Sequence, residues 1–206
     1  YFRTPFVYFS SMNKYLLFFI IGSIIAGISI SCSQSPATVT TKEPDYRRIG
    51  DSIIKATFDT LRHTLGASIQ RDGVEGAVQF CNVNAYPITG TLASEKILIK
   101  RVANRYRNPQ NAPDSTDAVQ WNVFATAKAA GDSLQPAIVR ENDRVHYYKP
   151  IILQANCTVC HGTNGKDISP AVASTIDSLY PNDNAKDFAV GDLRGMWKIS
   201  FLQANH

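Results

Sequence analysis

Cys157-Thr158-Val159-Cys160-His161 constrains this chain more than any other stretch. The pattern is C-x-x-C-H, the one that attaches a c-type haem. Two thiols three residues apart can add to the two vinyl groups of one porphyrin, and the adjacent imidazole then lies under the iron. Gly162, Asn164 and Gly165 follow, a loop flexible enough to wrap a macrocycle edge. Three blander readings compete. A zinc ribbon needs a second ligand pair, and no other C-x-x-C occurs. A thioredoxin-like dithiol needs a βαβ context that the pattern does not offer. A structural disulfide or a chance match is the third. The expectation is a single covalent haem c held by Cys157 and Cys160, with His161 on the iron.

The other end of the chain points to export. Met12-Asn13-Lys14 precedes an apolar run from Tyr15 to Ile30, broken only by Gly22, Ser23, Gly27 and Ser29. A short basic head, an apolar centre and small residues make a signal peptide rather than a spanning helix. Tyr1 to Ser11 reads as an upstream extension, with Met12 the start. Ser29-Ile30-Ser31-Cys32 resembles a bacterial lipoprotein cleavage box, although Leu is usual where Ser29 stands, and it makes Cys32 the lipidated residue. The expected layout is therefore extension and lipoprotein signal peptide over 1–31, a flexible tether over 32–43 and the haem-binding domain over 44–206. Ser, Thr and Pro dominate the tether, and the remainder is long enough for one core. The expected location is the bacterial cell envelope, on a membrane by its lipid, facing the periplasm or the exterior.

Cysteine and charge arithmetic fit this layout. With Cys32 acylated and Cys157 and Cys160 in thioethers, Cys81 is the one thiol left, and it has no disulfide partner. Removing residues 1–31 takes away Arg3 and Lys14 and no acid, so the 21 basic residues fall to 19 against 17 acidic ones. A net of +2 is no argument for nucleic acid, and no nucleic-acid partner is expected.

Along the domain, Ile54, Phe58, Leu61, Leu65 and Ile69 form a helical stripe over residues 46–70, with His63 off its centre and solvated. A second helix starts at Asp72, with Glu75 completing a capping box, and Pro87 stops it. Its apolar face is Val74, Ala77, Val78, Cys81 and Ala85, so Cys81 is a small buried hydrophobe or something more. Ile97 to Ala103 reads as a strand and Ser115 to Ala130 as a helix with Val119 and Phe124 among its apolar positions. Pro136 to Arg140 and Val145 to Ile152 make a hairpin around Glu141-Asn142-Asp143-Arg144. Pro170 to Leu179 is a short helix and Met196 to Leu202 a closing strand. Helices first and then strands give an α+β class with an antiparallel sheet.

Four residues compete for the second axial position: Cys81, Met196, His63 and His146, and an open site is a fifth option. Met196 would suit an electron carrier, because a thioether raises the potential, but it also suits core filling. His146 shares the hairpin with Tyr147 and is read as facing solvent.

Several segments resemble one family of exported single-c-haem domains with a PAS-like fold, found alone or as the sensor part of histidine kinases and related signalling proteins. The matching segments begin with Phe80-Cys81-Asn82 and Arg107-Asn108-Pro109 with Asn111 and Pro113. Tyr147-Tyr148-Lys149-Pro150 leads into Cys157 to Gly162, and Tyr180-Pro181 precedes Gly191-Asp192-Leu193-Arg194-Gly195. Together they span about residues 45–202. The resemblance implies a His/Cys-ligated iron, His161 on one side and Cys81 on the other. Such a thiolate lowers the potential relative to Met. Arg101, Arg105 and Arg107 are candidates to meet the propionates.

The leading expectation is a redox or small-ligand sensor. No kinase, cyclase or methyl-accepting segment precedes His206, so it would act with a signalling or redox partner protein. The alternative is a single-haem electron-transfer cytochrome. An enzyme such as a peroxidase is the weakest reading, because no Ser/His/Asp set, phosphate loop or further metal cluster can be read in the sequence.

Overall fold

A computed structural model describes residues 44–203. The expected extension, signal peptide, lipidated Cys32 and tether fall outside the described residues. Among those described, no helix is long and apolar enough to cross a membrane.

Asp45 opens α1 (Tyr46–Thr89) by accepting the Arg48 N–H at 3.0 Å. The helix is two halves joined at Gly73, whose φ of 71° and ψ of −178° belong to a region that is essentially glycine's own. The expected break between two helices therefore sits at Gly73. The Asp72 carboxylate, expected to cap the second half with Glu75, is gripped by Arg71 at 2.6 and 3.1 Å. Pro87 does not stop the helix, which runs on to Thr89 and ends at Gly90.

The strands are β1 (Ile97–Val102), β2 (Ala137–Glu141), β3 (Arg144–Ile152) and β4 (Leu193–Leu202). They form one antiparallel sheet in the order β1-β4-β3-β2, the α+β class read from the sequence. The β2–β3 hairpin turns at Asn142 and Asp143, with Asn142 at a φ of 50°, a left-handed value that Asn tolerates. The closing strand starts three residues earlier than expected, at Leu193.

Alternation along β4 divides the core. Trp197, Ile199 and Phe201 face α1 and pack with Ile99, Val145, Tyr147 and Ile54. Gly50 brings the helix down onto the ring of Tyr147, whose hydroxyl donates to Asp51 at 2.7 Å. Met196 points the other way, into a cluster with Val102, Tyr148, Leu193 and Phe124 of α2 (Ser115–Ala129). Asp114 and Asp117 start α2 with a reciprocal capping box, and both also hold Lys198 at 2.8 Å. Two expected core residues are exposed instead, Phe58 at 40% and Val119 at 66%. The inward stripe of α1 runs through Gly50, Ile54, Thr57 and Ser68, so a large apolar side chain is not what marks the buried face.

Candidate functional site

The C-x-x-C-H segment follows β3 directly. Leu153 is tied down by its N–H to the Asp192 carbonyl and by the Gly191 N–H to its own carbonyl, both at 2.9 Å. A 3-10 turn at Ala155–Cys157 then feeds the single-turn helix α3 (Thr158–His161), which the Gly162 N–H closes on the Thr158 carbonyl at 2.7 Å. Both cysteines are free thiols. Cys157 packs against Leu153, Ala185 and Phe188, whereas Cys160 packs against Val78, Ile168, Val172 and Ile176. The last two belong to α4 (Pro170–Leu179). Each thiol therefore borders its own apolar cluster. Gly162 is required here, since a Cβ would stand 2.5 Å from that of Asp167, whose carboxylate caps the Thr163 N–H at 2.9 Å.

His161 is held in one tautomer. Its Nδ1 lies 2.8 Å from the Ala185 carbonyl, which can only accept, so Nδ1 carries the proton. Nε2 makes no hydrogen bond to a described residue and keeps its lone pair for a metal. Burial, with Arg194 and Arg107 beside it, pushes its pKa well below the ordinary histidine value, so the imidazole is neutral at neutral pH. The segment carrying Ala185 is pinned in turn. The Phe188 N–H donates to the His161 carbonyl and the Asp187 N–H to that of Gly162, both at 2.9 Å. Arg107 fastens the two pieces together, donating to the Cys160 carbonyl at 2.7 Å and to Asp183 at 3.0 Å.

Cys81 comes from the second half of α1, next to the buried Ala77 and Val78. Burial raises its pKa, while Arg101 and Arg107 pull it back. Val78, one turn before Cys81, shares an apolar cluster with Cys160, so this half of α1 packs against the C-x-x-C-H turn. His161 and Cys81 share Arg101 and Arg107 as charged neighbours. Tyr180, which bonds Asn82, closes the same region.

A family model matches residues 37–201 of this chain. The chain belongs to the Tll0287-like family. The crystal structure of the cyanobacterial heme-protein Tll0287 superposes with a TM-score of 0.53 at 24% identity, covering 80% of this chain and 99% of that one. At that identity the likeness speaks for the shared fold. No curated protein matches the chain.

In this Tll0287-like fold the other candidate ligands lie elsewhere. Met196 is fully buried in the cluster under α2. His63 is exposed. His146, expected to face solvent, is 3% exposed because α2 covers that face of the sheet. Its Nε2 donates to the Glu141 carboxylate at 3.2 Å, so its Nδ1 accepts the Ser200 hydroxyl at 2.8 Å. The arginines also sort differently from expectation. Arg105 is exposed and spends itself on the carbonyls of Asn184 and Lys186. Arg194, which the sequence reading left without a role, has its pKa pushed down to about 10 by burial and by Arg107 and Arg101. The Nε atoms of Arg101, Arg107 and Arg194 are all buried without a partner among the described residues. A neutral imidazole with a free Nε2, two thiols on apolar walls and unfilled guanidinium donors fit a covalently held porphyrin bearing carboxylates. Among the described residues no group of three or more His, Cys, Asp or Glu side chains could hold a bare metal ion.

Proposed function

We propose that this chain binds one haem covalently, as haem c, and works as a redox or small-ligand sensor in the bacterial cell envelope. Cys157 and Cys160 would provide the thioether sulfurs, and His161 Nε2 and the Cys81 thiol would bind the iron. One observation carries this reading: the Ala185 carbonyl holds the proton on Nδ1 of His161 and leaves Nε2 free, beside a cluster in which Val78, one turn before Cys81, packs with Cys160. The haem named for the relative Tll0287 supports it.

When bound, the haem would supply a one-electron couple and an iron able to take a small ligand. The chain's own residues orient and exclude. Arg107 and Asp183 hold the 183–185 segment against the turn, and Leu153, Ala185 and Phe188 give Cys157 an apolar wall. A coordinated Cys81 would be a thiolate, which Arg101 and Arg107 favour. The sensor reading includes a lipid at Cys32 holding the protein to a membrane, and a separate signalling or redox protein that receives the output.

Acid–acetone extraction of protein made with a c-type maturation system tests the core of this reading. Pigment should stay on the denatured chain, and pigment that washes out refutes covalent attachment. Spectra of the reduced protein with carbon monoxide separate the roles. Binding of the gas with loss of the thiolate signature supports the sensor, and insensitive low-spin bands favour an electron-transfer cytochrome. Mass spectrometry of the mature N-terminus should find lipid on Cys32, and an unmodified Cys32 refutes the anchor.

A further inference from the structure

Three guanidinium groups crowd the site, and the carboxylate among them is already taken. Asp183, 1% exposed, pairs with Arg107 at 3.0 Å. Arg101 and Arg194 make no ion pair among the described residues. Arg101 donates to the Ala85 carbonyl at 3.2 Å, and Arg194 to the Arg105 carbonyl at 3.0 Å with its fork 5.1 Å from the Phe188 ring. Each therefore keeps most of its five donors unfilled while its Nε is buried. A buried, unpaired guanidinium is strongly disfavoured, so two of them side by side call for two anions.

The backbone sets both near one end of the β1–β4 pair. Arg101 lies on β1, paired with Trp197 of β4 and on the α1 side of the sheet. Arg194 sits where the β3–β4 ladder slips: Ile151 pairs with Gly195 and Ile152 with Leu193, so Arg194 is the unpaired residue of a bulge. Bulges re-aim side chains next to sites. This one carries Arg194 over the ring of Phe188, whose own N–H is bonded to the His161 carbonyl at 2.9 Å.

We infer that Arg101 and Arg194 form a two-point carboxylate receptor that takes the propionates of the haem, with Arg107 set apart as the staple of the C-x-x-C-H turn. This rests on the haem reading above. Two carboxylates match the two uncompensated guanidinium groups in number and in bidentate geometry. Arg107 is the poorer receptor, because its fork already serves Cys160 and Asp183.

The test uses the full haem-loaded protein and Arg101→Gln, Arg194→Gln, Arg194→Lys and Arg105→Gln variants. Haem content is measured first, as pyridine haemochrome after denaturation. Wild-type protein without covalent haem refutes the underlying reading and leaves the arginine variants irrelevant. With haem present, the propionate bending bands in resonance Raman and the midpoint potential decide. Arg101→Gln and Arg194→Gln should each shift the bands and move the midpoint to more negative values, because a positive charge near the iron is lost. Arg194→Lys, the safer variant for folding, should shift the bands while keeping the midpoint nearer to wild type, because it keeps the charge and loses the fork. Arg105→Gln should change neither. Unchanged bands in both the Arg101 and Arg194 variants, or a shift produced by Arg105→Gln alone, overturn the proposal.

Discussion

Replacing one helix hydrogen by a methyl group at Gly50 should cost more than the helix gains. A Cβ built at Gly50 would stand 2.1 Å from Cδ1 of Tyr147 and 2.8 Å from its Cε1 and Cγ. That ring is fully buried and cannot retreat, since its hydroxyl is bonded at 2.7 Å to Asp51, which Lys149 holds at 2.6 Å. Lifting α1 would stretch the same bond, because Asp51 is the next residue of the helix. Overpacking of a tight core costs about 1–3 kcal/mol, and a contact this short belongs at the top of that range. Gly to Ala inside a helix returns about 1 kcal/mol. The net expectation for Gly50→Ala is a loss of about 2 kcal/mol, or roughly 4–8 °C in Tm for a domain of this size. Gly66→Ala is the internal control on the same helix, because nothing lies within 4 Å of its Cβ. It should gain up to about 1 kcal/mol. Urea unfolding followed by far-ultraviolet circular dichroism measures both. If the two substitutions shift stability in the same direction, the close approach of α1 to Tyr147 is wrong.

Four further outcomes are expected. Cys81→Ser should change the ferric absorption spectrum towards high-spin or water-ligated iron with haem still attached. Met196→Leu should leave the spectrum alone and cost less than about 1.5 kcal/mol, because the swap nearly conserves volume. Asp117→Asn should destabilise by about 3 kcal/mol in urea melts, since it leaves the buried Lys198 with the half-exposed Asp114 as its remaining carboxylate. Stability should also fall with acid through His146. Burial and Lys198 outweigh the opposing pull of Glu141 and Asp117 and hold its pKa below the ordinary value near 6.5. The unfolded chain then binds more protons, so the contribution is complete above about pH 6.5 and is lost as pH falls towards the lowered pKa. A His146→Gln variant should show a flatter dependence of the urea midpoint on pH below about 6.5 than wild type.

Local chemistry made parts of this fold legible from the sequence alone. Pro170 to Leu179 was readable because Ser169 caps the helix, Pro170 fits its first turn and Pro181 follows its end. The hairpin was readable from Asn142-Asp143 between two β-rich runs. Phe58 misled because periodicity shows which residues could share a face, not which face the sheet will cover. His146 misled in a related way. A polar residue alternating along a strand reads as solvated, but α2 covers this face of the sheet, and Ser200 and Glu141 supply the partners of the buried ring. At the site, Cys81, Cys160 and His161 stood out by residue type and spacing. Arg194 did not, because its importance comes from a slip in strand pairing that no single-strand pattern records. The Ala185 carbonyl was equally invisible, since a backbone acceptor 24 residues away carries no residue-type signal.

The strand made last lies in the middle of the sheet, and this sets an order of events for the growing chain. β1 has β4 as its strand partner, with Ile97 opposite Phe201, so about a hundred residues must be synthesised before β1 can pair. Both halves of the core wait as well, because Trp197, Ile199 and Phe201 fill one and Met196 the other. Cys157 and Cys160 are therefore synthesised well before the frame that half-buries them can close. An enzyme that joins haem to those thiols would meet an open chain, and folding would then seal a finished product. Loss of residues 193–202 would accordingly spare the attachment motif and remove the framework on both sides of it.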